Sequence, residues 1–454
     1  MREWEGQRTD MLQTEHNKSL AAAIELSLTS LMFQELGPSA QELLGVVAFF
    51  PQGVDENNLD WLFPQISNRT HIFDKFCILS LAYRSNGFIT MLAPLRDYLS
   101  PKDPKSSPLL CKAKEHYFSR LSVDVDPTKP GFMDAQWIIS EDVNVEHLLD
   151  IFISIDMNLD SLWDACIKFM VHLYWHKRRL ISLGPKIEGL PDDHYFKPDC
   201  LLRLSLLSQS IGNQVERKQL LSHTLRLRRE RKDYSEVAAT LRNLSDANCQ
   251  LGLYKEGIQM AKEALKTCEW LRDIPGQALC LFHVAASLQQ DQQLDAAEGA
   301  ASHAINLFSE QGNQFEVCQS QIILGNIYYS KGDLEKAIYH FRAVLGIASN
   351  FNWHDPLFQA HYYLAHLFFT GDKFNNAHTH IEQAKSYAVN STFSLGLVMH
   401  LQAQILCHQG QLKEARSEAL HAIEIFERLG AVQELAGCRE LIQQIEQQTE
   451  NPIA

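Results

Sequence analysis

Histidine and cysteine offer the most chemistry here, with 19 and 10 of them in 454 residues. Either type could ligate a metal, and a cysteine could act as a nucleophile. The densest histidine set is His354, His361, His366, His378 and His380. On a helix, two residues two apart point about 200° from each other, so His378 and His380 cannot share an ion. His361 and His366 are five apart, a poor chelating step, and no carboxylate stands at a suitable spacing to complete the set. These histidines read as core or surface residues, and no metal is expected. The cysteines show no CxxC and no close pairing, the pattern of buried reduced thiols in a cytoplasmic or nuclear protein. Gly-x-Ser-x-Gly, HExxH, catalytically spaced Cys and His, and paired carboxylates in a turn-rich site are all missing from the sequence. So is GxxxxGK[ST], the glycine-rich cradle whose Lys and hydroxyl hold a nucleotide and its magnesium. The expectation is a protein without catalytic residues or cofactor.

The elements that would position any site belong to a soluble globular class. Hydrophobic residues make up 45% and charged residues 21% of the chain. The first residues are polar, and no uncharged apolar stretch reaches the ~18 residues that a membrane span needs. The net charge of −14 argues against a surface built to neutralise phosphates or anionic lipid. The one basic run, Leu225 to Asp233 (LRLRRERKD), reads as the last turn of a helix, where cations meet exposed carbonyls. Its other readings are a nuclear import signal or a phosphate patch.

Self-similarity organises the second half. Segments 241–265, 281–305, 321–345 and 361–384 align with a period of 40, and a fifth, 399–423, follows after a step of 38. Leu244, Val284, Leu324 and Leu364 share one register, and Ala264, Ala304, Val344 and Ala384 another. Each unit reads as two helices about a short break. The third has apolar Leu324, Ile327 and Tyr328, the break Lys331-Gly332-Asp333, then Ala337, Phe341 and Val344. Gly332 supplies a left-handed C-cap and Asp333 an N-cap. The expected breaks elsewhere are Leu251-Gly252-Leu253, Asp291-Gln292-Gln293, Thr370-Gly371-Asp372 and Gln409-Gly410-Gln411. Ala297, Ala337, Ala377 and Ala415 sit where paired helices must cross closely.

Leu324, Gly325, Tyr328, Ala337 and Phe341 carry a pattern that resembles the tetratricopeptide repeat. The resemblance covers 233–428, and its period of 40 instead of 34 implies longer helices or linkers. Residues 200–230 read as a degenerate first repeat turning at Ile211-Gly212-Asn213, within a segment 200–232. Gln433–Gln447 reads as a capping helix in a terminal segment 429–454.

In the first half, a disordered tail over 1–16 is expected to precede a unit over 17–105. Helices are expected over 19–36, from Pro38, and after Asp55, followed by a fourth over His71–Leu81. A hairpin then turns at Asn86-Gly87, and a short helix spans 94–99. Loops are expected at 100–108 and 122–132, and a helical bridge over 106–199. LLGVVAFFPQGVDENNLDWLF and GFITMLAPLRDYL resemble the winged helix of STAND signalling NTPases of the NB-ARC and NACHT type, particularly fungal ones. Met91, Arg96, Asp97 and Tyr98 match its end. Where that family has Met-His-Asp, this chain has Met91-Leu92-Ala93, so the histidine that would meet the ADP phosphate is missing. Glu141, Asn144, Val145 and Leu148 resemble the segment that joins winged helix and repeats in those proteins. The resemblance implies the C-terminal half of such an NTPase, without its nucleotide-binding domain.

The fold class is therefore mainly α, an α-solenoid of tetratricopeptide type preceded by a winged-helix-like module with a small hairpin. Stacked helix pairs leave a groove lined by their first helices. The expected groove residues are Arg242, Asp246 and Gln250; Phe282, Ala286 and Gln290; Ile322, Asn326 and Tyr329; and Tyr362, His366 and Phe369. Their mixture of aromatic, amide and charged groups suits a peptide or helix. From Asp233 onward, 14 Lys and Arg face 25 Asp and Glu, a difference of −11, which favours a basic or neutral polypeptide. The expected function is a scaffold or sensor that binds protein, with neither nucleic acid nor membrane as partner. The alternative is a winged-helix regulator that binds DNA, but its recognition segment offers only Lys75 and Arg84 against Asp74. Titrating Mg-ATP into the protein in a calorimeter should give only heats of dilution; a saturable isotherm would overturn the reading of a chain without a nucleotide cradle.

Overall fold

The computed structural model describes residues 21–123, 136–175, 178–388, 392–429 and 431–450. The chain forms two compact units, Met1–Phe196 and Lys197–Ala454. The expected tail over 1–16, and most of the loop over 122–132, lie outside the described residues.

In the first unit, the helix expected over 19–36 breaks at Ser30. Its hydroxyl caps a separate short helix, Leu31–Gln34, by accepting from the Phe33 amide. Thr29 instead turns its hydroxyl back onto the Glu25 carbonyl at 2.7 Å, the local bonding through which Ser and Thr interrupt helices. Helix Pro38–Phe49 begins at its proline. Asp55 accepts from the Asn57 amide and starts a 3-10 turn, Glu56–Asn58, that leads into Leu59–Leu62. Helix Arg69–Ile78 then leads to the expected hairpin, β2 (Tyr83–Ser85) and β3 (Phe88–Thr90). It turns through Asn86 and Gly87 at φ 52° and 81°, both left-handed, as a tight hairpin requires. A further strand, β1 (Val54–Asp55), pairs antiparallel with β3, Val54 opposite Ile89, in the order β1-β3-β2. Only glycine fits just before it, because a Cβ on Gly53 would overlap the Ile89 carbonyl. Helix Ala93–Leu99 follows, with Arg96 donating to the Pro51 carbonyl at 2.7 Å.

A buried carboxylate ties these pieces to the helices that follow. Glu141, fully buried at the start of helix Asp142–Ile155, accepts from the Tyr117 hydroxyl and from the side-chain amides of Asn58 and Asn144. Asn144 also donates to the Gly53 carbonyl at 2.9 Å and accepts from the Gln52 amide at 3.1 Å. Burial pushes the Glu141 carboxyl up, and the three donors pull the other way. Around it, Trp61, Tyr117 and Trp137 pack edge to face or tilted, and the Arg120 guanidinium covers both indoles. One helical turn on, Glu146 takes the backbone amides of Ile181, Ser182 and Leu183 at 2.5–3.0 Å, so one carboxylate caps helix Leu183–Glu188.

The second unit contains, among the described residues, six helix pairs and a terminal helix. The first three pairs are Lys197–Ser210 with Gln214–Glu230, Tyr234–Gln250 with Tyr254–Leu271, and Ile274–Gln290 with Leu294–Glu310. The last three are Gln314–Ser330 with Leu334–Phe351, His354–Thr370 with Phe374–Tyr387, and Thr392–His408 with Leu412–Leu429. Val432–Glu450 ends the array. Residues 200–230 thus contribute a full pair, and the unit is a tetratricopeptide-like helical repeat with paired helices of up to 18 residues.

Left-handed residues recur with the repeat, one within every pair and, among the described residues, one after each of the first four pairs. Within pairs they are Gly212, Gly252, Gln292, Gly332, Asp372 and Gly410. Between pairs they are Lys232, Arg272, Gly312 and Asn352. The expected break at Gly371 is therefore displaced by one residue: Asp372 takes the left-handed conformation at φ 55°. The register, rather than the glycine, fixes the reversal. Asn213, Asp233, Asp273, Asn313 and Asp333 each cap the helix that follows. Ala297, Ala337, Ala377 and Ala415 are fully buried at the crossings. Gly325 has no room for a methyl group, since its Cβ would stand 2.5 Å from the Phe341 ring.

Replacing Glu141 with Ala strands three buried donors and should cost about 3 kcal/mol in urea unfolding. Glu141→Gln should cost less, and equal losses for the two would show that the acceptor oxygens are not what the fold needs.

Candidate functional site: the layer of first helices

From Tyr234–Gln250 onward, each first helix of the array packs on the first helix of the next pair, and the second helices approach one another less closely. The layer of first helices is therefore the inner one, and its free face is where a partner would lie. Contacts along that layer include the Ser245 and Ser287 hydroxyls at 3.0 Å, Tyr329 edge-on to His366 at 5.6 Å, and Phe369 edge-on to His408 at 5.4 Å.

The residues expected to line a groove fall into distinct environments. Tyr329, His366 and Phe369 are half-buried and continue the row of ring contacts. Tyr362 is half-buried beside them, stacked on Phe358 at 5.9 Å, and burial pushes its phenol up to about 12. Asn326 is half-buried. Phe282 packs edge-on to His283 at 5.3 Å, Ala286 and Gln290 are half-buried, and Gln250 is exposed. Asp246 is engaged within the chain, accepting from the buried Arg217 at 2.8 Å. Arg242 is half-buried, and its charge acts on the Cys280 thiol. Ile322, expected at the groove, belongs to the core, because it faces Phe341 and Leu357 of the neighbouring helices.

Phe369 also opens onto a cleft of about 800 Å³ between the last pair and the terminal helix. Its walls include His400, Gln404, His408, Glu440, Gln444 and Gln448. The expected groove residues end one unit short of this cleft. His400, Gln404 and His408 stand 38 residues after Tyr362, His366 and Thr370, the step already seen in the repeat alignment. The terminal helix carries no such signal. Gly437 faces His400, and a Cβ there would be 3.3 Å from the imidazole.

The remaining sequence features are accounted for within the fold. In the basic run, buried Arg228 binds Asp199 at 2.6 Å and Glu236 at 2.9 Å and donates to the Thr240 hydroxyl. Arg229 pairs with Glu263, and Arg226 with Glu230. In the first unit's hairpin, Arg84 is held by Glu56 at 2.7 Å and Asp74 at 2.5 Å. His361 and His380, on opposite helices of one pair, bring their Nδ1 atoms to 2.9 Å, a contact that their sequence spacing does not suggest. Groups of three or more metal-ligating side chains are absent among the described residues. Among those residues no helix is long and apolar enough to cross a membrane.

No protein-family model and no curated protein matches the chain. Similar solved structures include a Rap protein complexed with competence and sporulation factor, at 14% identity and a TM-score of 0.48, covering 74% of this chain and 98% of that one. A STAND protein with a tetratricopeptide repeat sensor from Pyrococcus horikoshii is 13% identical, with a TM-score of 0.48 over 92% of this chain and 65% of that one. A tetratricopeptide repeat protein from Parabacteroides merdae is 14% identical, with a TM-score of 0.42 over 66% and 99%.

Burial lowers the basicity of His366, His380 and His400, and takes His361 and His283 to about 4 from the ordinary 6.5. A base neutral in the fold binds more protons when unfolded, so its contribution is complete above 6.5 and fades as pH falls toward 4. Urea midpoints followed by circular dichroism should fall across that window, and His361→Phe should flatten the slope; a flat wild-type profile would contradict the neutral imidazoles.

Proposed function

We propose that the chain is a non-enzymatic interaction protein that binds a polypeptide along the free face of its first helices and anchors it at the cleft beside Phe369. The observation that carries this reading is the row of ring contacts, Tyr329 with His366 and Phe369 with His408, leading into a cleft of about 800 Å³. Half-buried aromatic rings supply anchor area at low entropic cost. The Gln404, Gln444 and Gln448 amides each offer a donor and an acceptor to a peptide backbone. Glu440, and the −11 balance of 233–454, favour a basic or neutral ligand over an acidic one. Arg242, Asp246, Phe282, Gln290, Asn326 and Tyr362 extend the proposed face, with Asp246 acting through its bond to Arg217.

The three-stranded sheet and the helices before it fit a winged-helix-like module over 17–105. Its role in this reading is that of a structural hinge, since Arg84 is already bound to Glu56 and Asp74. Glu141 and Asn144, whose spacing resembles the STAND linker, favour the chain being the sensor part of such a protein.

Panning a random-peptide display library against the full chain should recover sequences rich in Lys, Arg and aromatic residues. Phe369→Ala and Tyr329→Ala should each weaken a recovered peptide by about 2 kcal/mol, roughly thirtyfold, with the circular dichroism unchanged. Unchanged affinity in both variants would move the binding site off this face.

A further inference from the structure

Two cysteines meet where the second pair joins the third. Cys268 lies in the last turn of helix Tyr254–Leu271 and Cys280 in the second turn of Ile274–Gln290. Their sulfurs stand 3.7 Å apart, both thiols free and both side chains buried. Gly276 makes the approach possible, since a Cβ there would be 2.8 Å from the Cys268 sulfur. Arg242, from the preceding first helix, places its charge beside both sulfurs and eases their ionisation. Asp273, which caps the third pair through the Gly276 amide at 2.9 Å, lies beside Cys268 and opposes that effect. The two thiols share one hydrogen bond in which either sulfur can donate; with Cys280 as donor, ionisation of Cys268 is eased and Cys280 keeps its proton. A thiolate beside a cation and a second thiol is the arrangement that favours attack on an oxidant.

We propose that Cys268 and Cys280 form a modification site, a dithiol that a small peroxide oxidises reversibly to a disulfide clasping the second and third helix pairs. The Cys268 sulfur attacks one peroxide oxygen and breaks the O–O bond, giving a sulfenic acid and one water. The Cys280 sulfur then attacks the Cys268 sulfur and displaces the hydroxyl as a second water. Two S–H bonds are lost, one S–S bond forms, and the peroxide takes up the two electrons. A disulfide spans about 2.05 Å, so the sulfurs close by about 1.7 Å from their present separation. Both thiols are covered, so the peroxide enters when the turn at Arg272, itself in a left-handed conformation, opens locally. The linked segment, 268–280, is short and spans the turn between pairs, so the bond restrains opening there.

The reduced full chain would be treated with hydrogen peroxide, blocked with iodoacetamide in denaturant, digested with trypsin and mapped without reduction. Cleavage at Arg272 separates the two cysteines, so a disulfide appears as a linked peptide pair. That pair should form, disappear with dithiothreitol, and accompany an upward shift in the thermal midpoint. In Cys280→Ser the sulfenic acid has no partner, and a dimedone adduct should collect at Cys268. The proposal is overturned if both peptides are recovered alkylated while the half-buried Cys77 and Cys111 are oxidised, or if Cys268 passes to the sulfinic acid without linking. Should Cys280→Ser fail to fold, the wild-type map alone decides between these outcomes.

Discussion

The helix pair of the second unit depends on close crossing. Two helices of 17 or 18 residues can lie against each other only where neither presents a large side chain. Ala297, Ala337, Ala377 and Ala415 meet that condition with a methyl group, and Gly257 meets it with none, since its Cβ would stand 2.5 Å from the Cys249 sulfur. A single pair cannot cover its own apolar stripe, so the pairs must stack, and stacking demands that each chain reversal fall at the same register. Hence the left-handed residues recur every 40 positions whether the side chain is Gly332, Gln292 or Asp372. The cost of about 1 kcal/mol for a left-handed non-glycine residue is offset by the packing on either side.

That register also produces the candidate site. Because successive first helices touch, residues at one position of the repeat form a row on the inner layer. Tyr329, His366, Phe369 and His408 become neighbours although up to 79 positions separate them in the chain. The same stacking brings Cys268 and Cys280 together across a turn and turns Arg242 toward them. Binding groups, buried imidazoles and thiols are in this sense consequences of one geometric repeat.

The first unit solves a different problem. Short helices and a three-stranded sheet bury little surface on their own. They gain cohesion from polar groups withdrawn from water and fully partnered. Glu141 gathers Tyr117, Asn58 and Asn144, while Asn144 grips the backbone at Gln52 and Gly53 beside β1. Such a network fixes one arrangement of its elements, because any other leaves buried donors without acceptors. Glu146 does the same for the amides of Ile181–Leu183.

Much of this was legible in the sequence where the signal was local and repeated. The 40-residue period, the cap at Asp333, the turn at Ile211-Gly212-Asn213, the Asn86-Gly87 hairpin, and the pattern of Leu324, Gly325 and Phe341 all follow from residue type and spacing. Strand β1 did not, because its two residues pair only with partners 33 and 35 positions away. Nor did the Ser30 break, where a hydroxyl competed with the helix for backbone groups. Tertiary structure alone decided that Arg228 and Asp246 are spent on internal partners, that Ile322 is core, and that the cleft lies between the last pair and the terminal helix. The physical reason is that periodicity fixes which face a side chain takes. Which distant charge or ring it meets there depends on how the helices stack.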